Sequence, residues 1–215
     1  MKIGVIQASS QADKNEMLYN YTVEAVEKHG YEVINFGCFS DEREIFSYID
    51  IAIDISLLLA SRSVDFIVTG CSSGQGMMLA CNSLPYVLCG YIQTPQDAFL
   101  FGRINDGNAV SYPLGLNFGW AGEINLKCTL EKLFDAPFGI GYPAEDASRK
   151  KQDAVLLKQI NSISKRNAAD VFAAMNPALF RKALSRNNVV DYIFRNGSNT
   201  ELRNLMIANG AKNFS

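Results

Sequence analysis

Residues 66–83, FIVTGCSSGQGMMLACNS, bring a thiol, two hydroxyls and two closely spaced glycines together. Cys71 stands where an apolar run ends, Ser72, Ser73, Gly74, Gln75 and Gly76 turn, and a helical pattern follows. Four kinds of chemistry suit such a stretch: a dinucleotide fingerprint, a nucleophile, a general base, or a buried cysteine beside a turn. The dinucleotide pattern fails on spacing. GQGMML supplies two glycines of G-x-G-x-x-G, but Leu79 takes the third place, and the run follows the third strand rather than the first. No G-K-[ST] occurs, which disfavours a P-loop.

An anion cradle fits better. Glycines let backbone N–H groups crowd toward one point, and a helix N-terminus adds partial positive charge. Such a cradle holds a phosphate, a carboxylate or an oxyanion formed in a reaction. It favours a thiolate at its edge, which serves as nucleophile or general base. The bland alternative is a Cys71 that only fills space, and the residues alone weigh the two evenly.

The other ionisable groups narrow the field. Cys38, Cys71, Cys81, Cys89 and Cys128 form no CxxC pair, so a zinc site is disfavoured and each cysteine defaults to a small buried hydrophobe. One histidine exists, His29, placed before Gly30 to cap a helix end. A mechanism needing two histidines from one chain is excluded. The net charge of −2 argues against a nucleic-acid partner. The N-terminus lacks a signal-peptide pattern and the longest apolar runs are too short to span a bilayer, so a cytoplasmic protein with no membrane partner is expected. The basic run Arg149–Lys151 reads as a solvated helix face. Phe99, Leu100 and Phe101 read as core or dimer surface.

These residues need elements to hold them. KIGVIQA, YEVINFG, VDFIVTG, YVLCGYI and NAVSYPLG read as five strands, each followed by a helical pattern. Thr94, Pro95 and Asp97 mark one helix start. IFSYIDIAIDISLLLASRS reads as a long amphipathic helix. The alternation predicts an α/β fold, a doubly wound, Rossmann-like five-stranded parallel sheet. From about Ala147 only short capped helices follow. The division expected is 1–145 for the α/β domain and 146–215 for an all-helical C-terminal extension, packed on the first domain or on a partner subunit.

Cys71 to Gly76 after an apolar strand, followed by Ala80-Cys81-Asn82 on a helix, resembles the ribose-5-phosphate isomerase B and galactose-6-phosphate isomerase family. RINDGNAVSYPLG matches that family's R-x-H-N-D-x-N stretch at Asn105, Asp106 and Asn108, and HGYEVINFG is similar to its second strand. The resemblance covers roughly residues 1–140. It implies an aldose–ketose isomerase acting on a sugar or sugar phosphate through an enediolate, in a homodimer or dimer of dimers with shared active sites. Carried over by position, Cys71 is the base and Ser73 its hydroxyl neighbour. Ser72, Gly74, Gln75 and Gly76 offer N–H groups, and Asn105 contacts substrate from the neighbouring subunit. Asp106 and Ser9 complete the expected substrate contacts, and no metal or organic cofactor is implied.

The sequence departs from the family where rings are opened. Ala8-Ser9 replaces Asp-His, and Ile104 replaces a histidine. Either the substrate is open-chain, or another acid such as Asp106 or Asp97 acts, or the substrate is not a pentose or hexose phosphate. Gln7, Ser9 and Ser10 then offer neutral hydrogen bonds at the first strand end. The alternative is a non-catalytic protein that binds a sugar or sugar phosphate on the same fold.

Overall fold

The apolar runs at the middle of the sheet become strands because both of their faces are covered. In the computed structural model, which describes residues 1–211, the strands are β1 (Lys2–Ile6), β2 (Glu32–Gly37), β3 (Phe66–Cys71), β4 (Cys89–Tyr91) and β5 (Ala109–Pro113). All pair in parallel in the order β2-β1-β3-β5-β4. Central β3 is buried at every residue, as a parallel strand with helices on both faces must be.

The helices are α1 (Asn15–Val26), α2 (Tyr48–Ala60), α3 (Gln75–Ser83), α4 (Pro95–Leu100), α5 (Gly122–Phe134), α6 (Ala147–Ser164), α7 (Ala168–Ala174), α8 (Pro177–Ala183), α9 (Asn187–Asn196) and α10 (Thr200–Ala208). Side-chain alternation splits the core in two. Ile3, Val5, Phe66, Val68 and Val110 face α1, α4 and α5. Ile6, Ile67, Cys71 and Ala109 face α2 and α3 on the other side.

Helix α2 differs from the amphipathic reading. Every residue from Asp50 to Ala60 is buried. The reason is the tail: Phe172, Phe180, Ile193 and Leu202, from α7 to α10, join the same apolar cluster and cover the face that would otherwise be wet. Charge fastens the cover. Lys182 Nζ lies 2.9 Å from Asp50 Oδ2, and Arg186 Nε lies 3.3 Å from Asp54 Oδ2. Helix α6 is different, burying only Ala154. Val155, Leu156, Ile160 and Ile163 along it are exposed.

Several starts follow their sequence signals. Thr94 caps α4 with Pro95 at the first helical position, and Thr94 and Asp97 form a capping box. Asn176 and Asn199 cap α8 and α10. The run after α4 continues as a π-helical turn, Phe101–Asn105. Among the described residues no helix is long and apolar enough to cross a membrane.

Candidate functional site

The sheet reverses its direction of growth between β1 and β3, and a crevice opens at the carboxyl ends of strands at such a point. Ala8 N–H donates to the Gly70 carbonyl there, joining the exit of β1 to β3. Cys71 is the last residue of β3, paired with Pro113 of β5, and is 7% exposed.

Gly74 makes the turn into α3. Its φ is +72°, and a Cβ there would lie 2.8 Å from Cε2 of Tyr91 and 3.0 Å from the Pro113 nitrogen. The turn needs both the left-handed backbone and the missing side chain. Bonds from β5 and the two residues after it brace it. Leu114 N–H donates to the Cys71 carbonyl at 3.0 Å, Gly115 N–H to the Ser72 carbonyl at 2.9 Å, and the Ser111 hydroxyl to the Gly74 carbonyl at 2.7 Å.

The cradle is narrower than the sequence suggests. Gly74 N–H turns inward and donates to the Cys71 carbonyl at 3.3 Å. The N–H groups of Ser73, Gln75 and Gly76 have no protein acceptor among the described residues, and they stand at the N-terminus of α3. Ser72 is exposed and forms the opposite lip. Its Oγ accepts from Gln11 Nε2 at 3.0 Å and lies 3.4 Å from Ser10 Oγ.

The first strand end is mostly committed to structure. Gln7 is fully buried, donating to the Cys38 carbonyl and accepting from Asn15 Nδ2. Ser9 Oγ accepts from Phe46 N–H at 2.8 Å. Ser10 and Gln11, one and two residues further on, reach the loop instead.

The two aspartates suggested as acids are engaged. Asp97 Oδ2 accepts from Gln93 N–H and Thr94 N–H, at 3.1 and 3.0 Å. Asp106, in left-handed backbone at φ 52°, pairs with Lys158 of α6. Neighbouring Asn105 is exposed. Both precede β5, at the end of the sheet opposite Cys71. His29 donates from Nε2 to the Phe134 carbonyl at 2.6 Å, closing the end of α5 rather than of its own helix.

The family-like asparagines hold the scaffold. Asn82 exchanges two hydrogen bonds with the backbone of Cys89, and Asn108 takes Leu88 N–H and donates to the Tyr86 carbonyl. Together they fix the edge strand β4. Arg103 is 1% exposed and bonded to Asp135 and the Leu133 carbonyl, so it is not free for an anion. Arg149 pairs with Asp146 and Asp153. Among the described residues no group of three or more His, Cys, Asp or Glu is arranged to hold a metal ion.

Two cavities accompany these elements. One of about 490 Å³ runs along β4 and is lined by Tyr91, Asp97 and Asn105. A larger one, about 620 Å³, lies at the other end of β3, by Asp65, Asn108 and Lys165, away from Cys71. Neither cavity includes Cys71 or the loop from Ser72 to Gln75 among its lining residues. Tyr91 and Gln11 are the neighbours that sequence reasoning missed. Tyr91 sits inside a strand pattern and Gln11 in an unpatterned turn, so only strand order and loop geometry disclose them.

The sequence matches the family model described as Ribose/Galactose Isomerase over residues 3–119. A comparison with curated proteins finds no match. The crystal structure of a 4-deoxy-L-threo-5-hexosulose-uronate ketol-isomerase complexed with a tartrate is 36% identical, with TM-score 0.92, over 97% of this chain and 99% of that one. A ribose-5-phosphate isomerase from Vibrio parahaemolyticus is 35% identical, with TM-score 0.90 and the same coverages. The type B ribose 5-phosphate isomerase from Trypanosoma cruzi shares the fold, at 20% identity and TM-score 0.59, over 74% of this chain and 99% of that one. On the family match and on two relatives that run through the helical tail, the chain belongs to the ribose/galactose isomerase family of sugar isomerases.

Proposed function

We propose that the protein interconverts an aldose and a ketose through an enediolate, and that its substrate is an open-chain keto sugar acid. Cys71 is the base that moves a proton between the two carbons beside the carbonyl. The N–H groups of Ser73, Gln75 and Gly76 hold the developing oxyanion, with the Ser73 hydroxyl beside them. One such donor is worth roughly 10²–10³ in rate. Gly74 shapes the turn and holds Cys71 in place.

The observation that carries the substrate class is the absence of ring-opening acids. Ala8-Ser9 and Ile104 occupy the family's acid positions, His29 is bonded to the Phe134 carbonyl, and Asp97 and Asp106 are engaged. An open-chain substrate needs none of them. Ser72, Ser10 and Gln11 offer neutral donors that suit the hydroxyls of an extended chain, and Ser9 backs that wall. The relative at 36% identity acts on a hexosulose uronate, which has this chemistry.

A second copy completes the site. Asn105 cannot reach Cys71 of its own chain, so in this reading it contacts substrate bound by a partner, with Asp106 holding its turn through Lys158. The exposed apolar residues of α6 support such a homodimer. Residues 1–145 carry the chemistry, and the helical extension from residue 146 braces α2.

The test is turnover followed by NMR, with 4-deoxy-L-threo-5-hexosulose uronate and ribose 5-phosphate offered separately. The keto acid is expected to isomerise and the phosphate to turn over at least about 10²-fold more slowly. Faster turnover of ribose 5-phosphate would overturn the substrate class. Binding of either without turnover would favour the non-catalytic alternative.

A further inference from the structure

We infer that Tyr91 is the proton donor of this site, its hydroxyl protonating the substrate's carbonyl oxygen while Cys71 takes the proton from the neighbouring carbon. The inference rests on the reading of Cys71 as base.

Register places Tyr91 on the right face. Thr69 of β3 pairs with Ser111 of β5, which pairs with Tyr91 of β4. Partners in register point to one face, and Cys71 lies two residues beyond Thr69, so the thiol and the phenol share a side of the sheet. Across two strand spacings, about 10 Å, the ring leans back toward the loop. Its Cε2 is where a Cβ on Gly74 would collide, at 2.8 Å. Gly74 therefore gives Tyr91 room as well as turning the chain.

The hydroxyl is held by neutral groups. It donates to Gln93 Oε1 at 3.3 Å, and the Gln75 side chain approaches it from α3. The ionisable neighbours are Asp97 from α4, Cys71 from β3 and Tyr112 from β5. Burial first, then the Asp97 carboxylate, and to a smaller degree Cys71 push the phenol above its ordinary range. It stays protonated, as a donor must. The capping bonds from Gln93 and Thr94 fix the Asp97 carboxylate there.

The step balances without a co-reactant. The Cys71 thiolate takes the proton from the hydroxyl-bearing carbon. The C–H pair forms the new C=C bond. The carbonyl π pair moves to oxygen, giving the enediolate that the loop N–H groups hold, and that oxygen then takes the Tyr91 proton to give an enediol. In the second half the phenolate removes the proton from the other enediol oxygen, which becomes the new carbonyl. The former carbonyl carbon takes back the proton from the Cys71 thiol. Both residues end as they began.

Tyr91→Phe removes only the hydroxyl and keeps the ring on Gly74. With 4-deoxy-L-threo-5-hexosulose uronate, kcat should fall about 10²-fold or more while KM stays within about threefold. A hydroxamate mimic of the enediolate should lose affinity by a similar factor. Should this variant fail to fold, Gln93→Leu leaves the ring in place and frees the hydroxyl, and roughly a tenfold fall in kcat is expected. Cys71→Ala is measured alongside. An inactive Cys71→Ala beside a Tyr91→Phe with unchanged kcat overturns Tyr91 as donor and leaves the base intact. A fully active Cys71→Ala overturns the reading of the site itself.

Discussion

Cys71 and Asn105 lie at opposite ends of strand β5. Cys71 pairs with Pro113, the last residue of that strand, while Asn105 precedes Ala109, the first. The strand alone separates them by roughly 13 Å.

If a second copy supplies Asn105, two damaged chains can repair each other. Cys71→Ala and Asn105→Ala should each be nearly inactive. Mixed and allowed to exchange subunits, they should recover about a quarter of wild-type activity, because half of the dimers then carry one intact site of two. Steady-state assay of the mixture checks this, and no recovery argues for a site made within one chain.

Gly74 separates strain from chemistry. Gly74→Ala places a side chain at φ +72° and against Tyr91, whereas Gly30→Ala places one at φ +62° with nothing within 4 Å. Both variants should lose about 1 kcal/mol of stability from the backbone, and Gly74→Ala more. Only Gly74→Ala should lose activity, by about 10²-fold or more through displaced donors. Urea unfolding and kcat measured together distinguish them.

The tail's hold on α2 should depend on pH. Burial pushes the Asp54 carboxyl well above its ordinary range, and Arg186 is the main group opposing that rise. Asp54 therefore binds its proton more tightly folded than unfolded. Its contribution favours the fold at low pH and is lost as pH rises through the raised value. Removing Arg186 raises the value further and leaves a buried carboxylate unpaired. Arg186→Leu should cost about 3–5 kcal/mol where Asp54 is ionised and distinctly less at a lower pH, where Asp54 has taken up its proton. Denaturant unfolding at the two pH values tests the sign.

How far the sequence could be read depended on where each signal was local. The individual strands, the helix start at Thr94 and Asp97, and the loop at Cys71 each sit in one short window. Helix α2 did not yield, because whether its second face is wet depends on Phe172, Phe180 and Ile193, more than a hundred residues later. Strand β4 proved shorter than YVLCGYI, and ahead of it the Asn108 side chain takes the Leu88 N–H and donates to the Tyr86 carbonyl. Asp97 and Asp106 are the carboxylates the sequence offers in place of the missing ring-opening acids. One is consumed by a helix start and the other by Lys158, a partner 52 residues away. Tyr91 was hidden because its neighbours, Cys71 and Gly74, come from another strand's end.

Proton exchange at carbon tests the central claim most directly. In deuterated water, wild-type protein with 4-deoxy-L-threo-5-hexosulose uronate should wash deuterium into the carbon beside the carbonyl, at a rate comparable to isomerisation. Cys71→Ala should abolish both the exchange and the turnover while still binding the sugar acid. Isomerisation that proceeds unchanged in Cys71→Ala would contradict the account, as would wild-type protein that binds the substrate and never exchanges its proton.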